Sequence, residues 1–439
     1  MSPERLPITV HRAKEIWFTR RTGDSISLVT FMDAALAVDA HGKITAIGRA
    51  SEFKSPSYSE KVIDHGDGIL VPGFVDAHVH CPQLSVIGSG GLPLLDWLTK
   101  YVFHAEAQFK NQNVATLGAR RLARELMQNG VTSAAVFSSV HAVAAEALFQ
   151  EFDTAGLRLL TGKTSMDVGA PAAVLQAAHA DIADQEVLIK RWHGKSARLR
   201  YAITPRFALS CSRELMLGLG ELRERHPSCY VQTHISENIE EVAAVKEVWK
   251  SCKDYLAVYE DHGLIGDKTL LAHGIHLTNN ELMRMATAKA TLVHCPTSNM
   301  FLGSGLLNLK QVQDSGVHLC LASDIGAGTN LSPWQTMLEC YKIQAIQGNR
   351  LSAAELLYQT TLAGAQSLGL GNVCGSLEVG KDADFVVIKP SKKPILAERL
   401  VTAETPSERL FACITCGDDR IIEQTYVAGN LIYSQAAPT

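Results

Sequence analysis

From about residue 71 to residue 370, short apolar runs rich in β-branched residues alternate with longer segments of helical character. The runs fall at 69–80, 131–140, 158–166, 199–207, 230–236, 269–277, 290–295 and 317–323. Helix-like segments lie between them, at 114–128, 172–192, 213–225, 240–259 and 333–344. Strand-length runs separated by helices are the pattern of βα units on a parallel sheet. Eight of them predict an α/β chain built on a distorted (β/α)8 TIM barrel spanning 71–370.

The two ends read differently. Ala34 to Val38, then His41-Gly42, then Ile44 to Ile47 predict a β-hairpin with a glycine-containing turn. After Leu370 strand character returns, at 375–388 and 424–433, with no helices to form barrel units. The economical arrangement is a small β-sandwich domain made from both termini, 1–70 plus 371–439, with the barrel inserted between.

Length and composition fit this picture. A chain of 439 residues, 46% hydrophobic and 20% charged, has the size and balance of a globular enzyme. A net charge of −4 gives no basic footprint for nucleic acid and no polybasic membrane patch. No apolar run reaches the roughly 18 residues of a membrane span, and none follows Met1 to Arg5 as a leader would require. The ten cysteines are scattered through apolar segments, which predicts reduced, buried thiols in a cytoplasmic protein. The lone pair Cys413 and Cys416 is expected to be core packing rather than a metal or redox site.

The chemistry is concentrated where the predicted strands end, the face on which barrel enzymes carry their sites. The first run ends in His78-Val79-His80, and residues i and i+2 of a strand point to one side. The fifth ends with His234 and is followed by Glu237; the sixth carries His273; the eighth ends Ser323-Asp324. Several imidazoles and a carboxylate suit one Zn²⁺, with Fe²⁺ as the alternative. Metal-bound water has a pKa of about 7. Asp324 can orient such a water and take its proton, and Glu237 can carry protons to a ring nitrogen and leaving group. Metal-assisted hydrolysis is therefore the expected reaction class. His141 and His294, at the ends of the second and seventh runs, are candidates for outer-shell or substrate roles, whereas His276 reads as structural. Lys163 could bridge a second metal if carbamylated, but the fourth run offers Arg206 where related barrels more usually place such a lysine, which favours a single metal.

Pro72-Gly73-Phe74-Val75-Asp76-Ala77-His78-Val79-His80, Thr233 to Glu237, His273, Ser323-Asp324 and the segment 375–384 together resemble the amidohydrolase superfamily. His294 to Asn299 is similar to its deaminase and chlorohydrolase branch. Within that branch His80-Cys81-Pro82-Gln83, 91–101, 204–211, 234–238 and 324–329 resemble the guanine deaminases, and the likeness spans essentially the whole chain. The resemblance implies a zinc-dependent conversion of guanine to xanthine and ammonia in purine catabolism, by a homodimer. It places zinc on His78, His80, His234, His273 and Asp324. It gives the purine edge to Gln83 and Arg206, the ring walls to Phe207, Leu94 and Trp97, and ring-nitrogen protonation to Glu237. The chemistry agrees: a guanidinium can grip a carbonyl with two donors, and a glutamine both donates and accepts. One departure is Gly169, after Met166-Asp167-Val168, where Asn is common in the family. It leaves 8-oxoguanine or a pterin as alternative substrates. A non-catalytic structural relative is disfavoured, because every ligand and Glu237 are retained.

Overall fold

The computed structural model describes residues 8–53 and 61–435. The Met1 to Arg5 segment and the outermost parts of the terminal domain lie outside the described residues. The N-terminal strands are β1 (Ile8–Thr22), β2 (Ser25–Asp39), β3 (Ile44–Arg49), β4 (Lys61–Asp64) and β5 (Ile69–Pro72). β2 and β3 form the expected antiparallel hairpin. The chain then enters β6 (Phe74–His80), β7 (Val131–Phe137), β8 (Arg158–Gly162), the two-residue β9 (Thr164–Ser165), β10 (Leu199–Pro205), β11 (Tyr230–Ile235), β12 (Thr269–His273), β13 (Thr291–His294) and β14 (His318–Leu321). It ends with β15 (Phe385–Ile388), β16 (Ile422–Val427) and β17 (Asn430–Ser434).

Two sheets result. One runs β6-β7-β8-β10-β11-β12-β13-β14, with β9 beside β10, and is parallel throughout. Its two edges meet where the chain leaves β14. The Asp324 N–H donates to the His78 carbonyl at 2.9 Å, and the His80 N–H donates to the Ile325 carbonyl at 2.7 Å. The Ser323 N–H also donates to Asp76 Oδ1 at 3.0 Å. The second sheet runs β17-β16-β15-β5-β1-β2-β3, with β4 on β1, and draws on both termini. Its core holds Ile16, Phe18, Leu36, Leu70, Phe385 and Tyr426. Arg158 at the start of β8 ties the two parts together, donating to both oxygens of Asp384 at 2.6 and 3.0 Å and to Asp382 at 2.7 Å.

Four expected elements divide, the 158–166 run into β8 and β9. The 69–80 run is two strands in different sheets: β5 pairs with β1 and β15, while β6 pairs with β7. Both halves are buried, so hydrophobicity carries no mark of the break. Gly73 makes it, because a Cβ there would lie 2.3 Å from Thr132 Oγ1. The 172–192 segment is a short 3-10 turn, Ala172–Val174, followed by the helix Ala178–Trp192. The 240–259 segment is two helices, Ile239–Val248 and Tyr255–Glu260, the second capped by Asp254 accepting from the Ala257 N–H. Cys413 lies buried in the main core, on the helix Pro406–Cys416.

The small sheet encloses a histidine pair. His11 Nδ1 lies 3.0 Å from His65 Nε2, the rings stack, and Phe385 and Tyr426 meet His11 edge-on. Burial, with His65 and Lys61 nearby, lowers His11 to about 3. Burial lowers His65 to about 4, against the opposing pull of Asp64. Both folded-state values lie below the unfolded 6.5, so the unfolded chain binds more protons as pH falls and stability declines with it. Each histidine then contributes a slope of about 1.4 kcal/mol per pH unit between its two values. The melting temperature should drop between pH 6.5 and 4, and His65→Phe should flatten that drop; an equal slope in the variant would assign the acid sensitivity elsewhere.

Candidate active site

His78, His80, His234, His273, Asp324 and Glu237 come to one place. His78 and His80 project from β6, His234 from β11 and His273 from the end of β12. Asp324 follows β14, and Glu237 stands on the turn after β11. Ser236, His273 and Asp324 adopt φ of 47°, 73° and 52°. This left-handed backbone is costly for residues with a Cβ and gathers at functional sites.

The geometry is that of a cation cage. His80 Nε2 lies 3.2 Å from both His78 Nε2 and His234 Nε2. Asp324 Oδ1 lies 3.2 Å from His78 Nε2 and 3.3 Å from His80 Nε2. His273 Nε2 lies 3.8 Å from Asp324 Oδ2 and 3.5 Å from Glu237 Oε2. The outward nitrogens fix two tautomers. His234 Nδ1 donates to the Arg206 carbonyl at 2.6 Å, and His273 Nδ1 pairs with Asn299 Oδ1 at 2.9 Å. Their Nε2 atoms therefore turn lone pairs inward. Burial holds His78 and His234 below the ordinary histidine range and lowers His80 to about 3. Neutral rings with facing lone pairs repel unless a cation sits among them. Donors about 2.1 Å from such a cation have separations of this order. The nitrogen and carboxylate donors thus fit a zinc-like ion.

The two acids differ in state. Burial opposes ionisation of Asp324, but its hydrogen bonds to His78 and His80 and the nearby His273 outweigh it, and its pKa is well below the usual carboxylate range. Burial, Asp324 and Glu241 push Glu237 well above that range, against the pull of Arg206. One carboxyl is thus suited to remain anionic beside a cation and the other to hold a proton.

A cavity opens over this cluster, with about 380 Å³ of empty space, part of it open to solvent. It is lined by His80, His234, His273, Asp324 and Glu237 on one side, and by Gln83, Arg206, Phe207, Leu94, Trp97 and Leu98 among others on the other. Trp97 is held by its indole N–H on the Ser89 carbonyl. His294 is buried and reaches Asn299 Nδ2 at 3.4 Å, one step behind His273, and burial lowers it to about 3. His141 does not line the cavity; it precedes the helix Ala142–Ala155, with Nε2 buried and unpartnered. Lys163 is fully buried and paired with Asp181, which also accepts from Ser165 and Gln185. His276 bonds the Ser304 carbonyl at 2.9 Å. Gly169 has a φ of +68°, and a Cβ there would lie 2.4 Å from the Leu209 carbonyl oxygen. That residue answers to its backbone and is not part of the cavity wall.

Three nearby groups escaped the sequence reading. Asn299 orients His273, and its position in the His294 to Asn299 segment was its only signal. Cys295 brings a thiol to the cage, but burial and the surrounding carboxylates raise its pKa well above the usual value, so it stays protonated. Glu106, fully buried on the helix Phe103–Gln108, pairs with both Arg206 and Gln83. Its signal was a carboxylate on the otherwise apolar stripe Leu98, Val102, Glu106 at helical spacing.

Comparison with known proteins narrows the chemistry. The profile of the Amidohydrolase family matches residues 69–432. A guanine deaminase of Escherichia coli is 39% identical over 93% of this chain and 93% of its own. The solved structure of an E. coli guanine deaminase superposes with a TM-score of 0.93 at 38% identity, covering 97% of this chain and 100% of that one. A guanine deaminase from C. acetobutylicum, solved with guanine in its active site, gives 0.88 at 33% identity and covers 97% and 100%.

Proposed function

The chain belongs to the amidohydrolase family, and from that premise we propose that it is a zinc-dependent guanine deaminase of purine catabolism. The observation that carries this reading is the cavity itself. One cavity joins the histidine and carboxylate cage, Glu237 with its raised pKa, and a glutamine and an arginine able to read a purine edge. Fe²⁺ remains the alternative metal, and the likeness to the relatives extends the reading to a cytoplasmic homodimer. Among the described residues all ten cysteines are free, as a reducing compartment would keep them.

A zinc held by His78, His80, His234, His273 and Asp324 would supply a water acidic enough to deprotonate near neutral pH. The rest falls to the chain. Arg206 donates to the guanine carbonyl, and Gln83 pairs with the adjacent edge. Phe207, Leu94 and Trp97 close on the ring faces and exclude bulk water. Asp324, anionic, takes the proton of the attacking water. Glu237 gives its proton to the ring nitrogen beside the attacked carbon, the proton taken up by Asp324 passes to the departing amine, and the new hydroxyl returns a proton to Glu237 as it becomes the carbonyl, leaving xanthine and ammonia. His294, through Asn299, keeps the His273 ring in place.

The test is ammonia release by the zinc-loaded protein from guanine, 8-oxoguanine, pterin and cytosine. Rapid release from guanine alone is expected. Preference for another ring would keep the metal chemistry but overturn the purine-edge assignment, and release from none would return the chain to a non-catalytic role. With Gly169 explained by its backbone, nothing in the cavity favours the larger or oxidised rings.

A further inference from the structure

We infer that Glu106 is a positioning residue that sets the substrate-reading pair: its carboxylate clamps Arg206 and Gln83 together so that both face the purine edge in one fixed arrangement. The inference rests on the guanine deaminase reading and adds a residue outside the cavity lining. Glu106 Oε1 accepts from Arg206 Nη1 and from Gln83 Nε2, the latter at 3.4 Å. Gln83 Oε1 in turn accepts from the Gly326 N–H at 3.1 Å. With its amide tied at both ends, Gln83 has one orientation, fixed relative to the loop that begins at Asp324. Arg206 is held from a second side: its guanidinium lies 5.6 Å over the Phe103 ring, one helical turn before Glu106. A single turn of helix therefore grips the arginine by charge and by ring face.

Two physical arguments give the clamp a purpose beyond stability. An arginine side chain has many rotamers, and ordering it only when substrate arrives would weaken binding; Glu106 orders it beforehand. A lone guanidinium in a buried cavity would also favour anionic ligands, whereas one neutralised by a carboxylate leaves the reading pair suited to an uncharged base. The second oxygen of Glu106 is buried without a partner, so the carboxylate is held for its bonds through Oε1.

A double-mutant cycle tests this. Glu106→Gln keeps the shape and removes the charge. It should raise KM for guanine about tenfold or more while kcat stays within about threefold, with metal content and melting temperature near those of the parent. Arg206→Ala should raise KM further. In the Arg206→Ala background Glu106→Gln should cost clearly less than in the parent or partly restore binding, because only the Gln83 bond is then left for that side chain to make. Additive effects on KM would overturn the inference, as would an unchanged KM in Glu106→Gln or a loss confined to kcat. Glu106→Asp, which keeps the charge with a shorter reach, enters the same cycle if the Gln variant does not fold, with the same non-additivity expected. Absence of guanine turnover in the parent enzyme would instead count against the proposed function.

Discussion

Glu237→Gln should give a protein that folds and binds its metal as before but turns over guanine about 10³-fold or more slowly, at the upper part of the range for a general acid–base group. The amide has the shape of the protonated acid and can keep a hydrogen bond to substrate. It has no proton to give to a ring nitrogen. In the enzyme, burial and the neighbouring Asp324 and Glu241 push the Glu237 pKa up, which favours the protonated form that can supply one. Removing the side-chain acidity should leave KM little changed, since the contacts proposed for the purine edge are those of Gln83 and Arg206. Steady-state kinetics beside a metal analysis of the same preparation decides the matter. Near-normal kcat with full metal would take Glu237 out of the chemistry. The working form is the protonated one, so activity that depends on its proton declines as pH rises through its pKa.

Stripping the metal should have an effect of comparable size. Dialysis against a strong chelator should lower activity by about 10³-fold or more, and stoichiometric Zn²⁺ should restore it. Stability should follow. A ligand present at 1,000 times its dissociation constant adds about 4 kcal/mol, so the stripped protein should melt several degrees lower. Without an ion, His80 Nε2 would face the His78 and His234 Nε2 atoms at 3.2 Å with no cation to draw them together. A stripped protein with full activity would exclude a metal role, and full activity restored by Fe²⁺ alone would change the metal assignment.

The histidine and carboxylate cluster was legible in the sequence because its members lie at or near the ends of β runs, and the period-2 geometry of strands turns His78 and His80 to one side. Glu237 was legible as a neighbour of the cluster because it follows His234 by three residues, on the turn after that run. What escaped depends on contacts distant in the chain. Glu106 meets Arg206 across 100 positions, and no motif announces the pairing. The break at Gly73 was hidden because both neighbouring strands are buried, and only the approach of Thr132 explains it. Arg206 lines the cavity while Glu106, outside the lining, pairs with it.

The two edges of the barrel sheet meet through backbone bonds between the segment after β14 and β6. His78, His80 and Asp324 stand on those same two stretches of chain. An ion shared by these three would fasten the first staves of the barrel to the last, as a clasp closes a hoop. The ring is otherwise continuous from β6 to β14, so this junction is where it would first spring open. Occupancy of the centre would then be a mechanical matter for the whole molecule as well as a chemical one for the substrate.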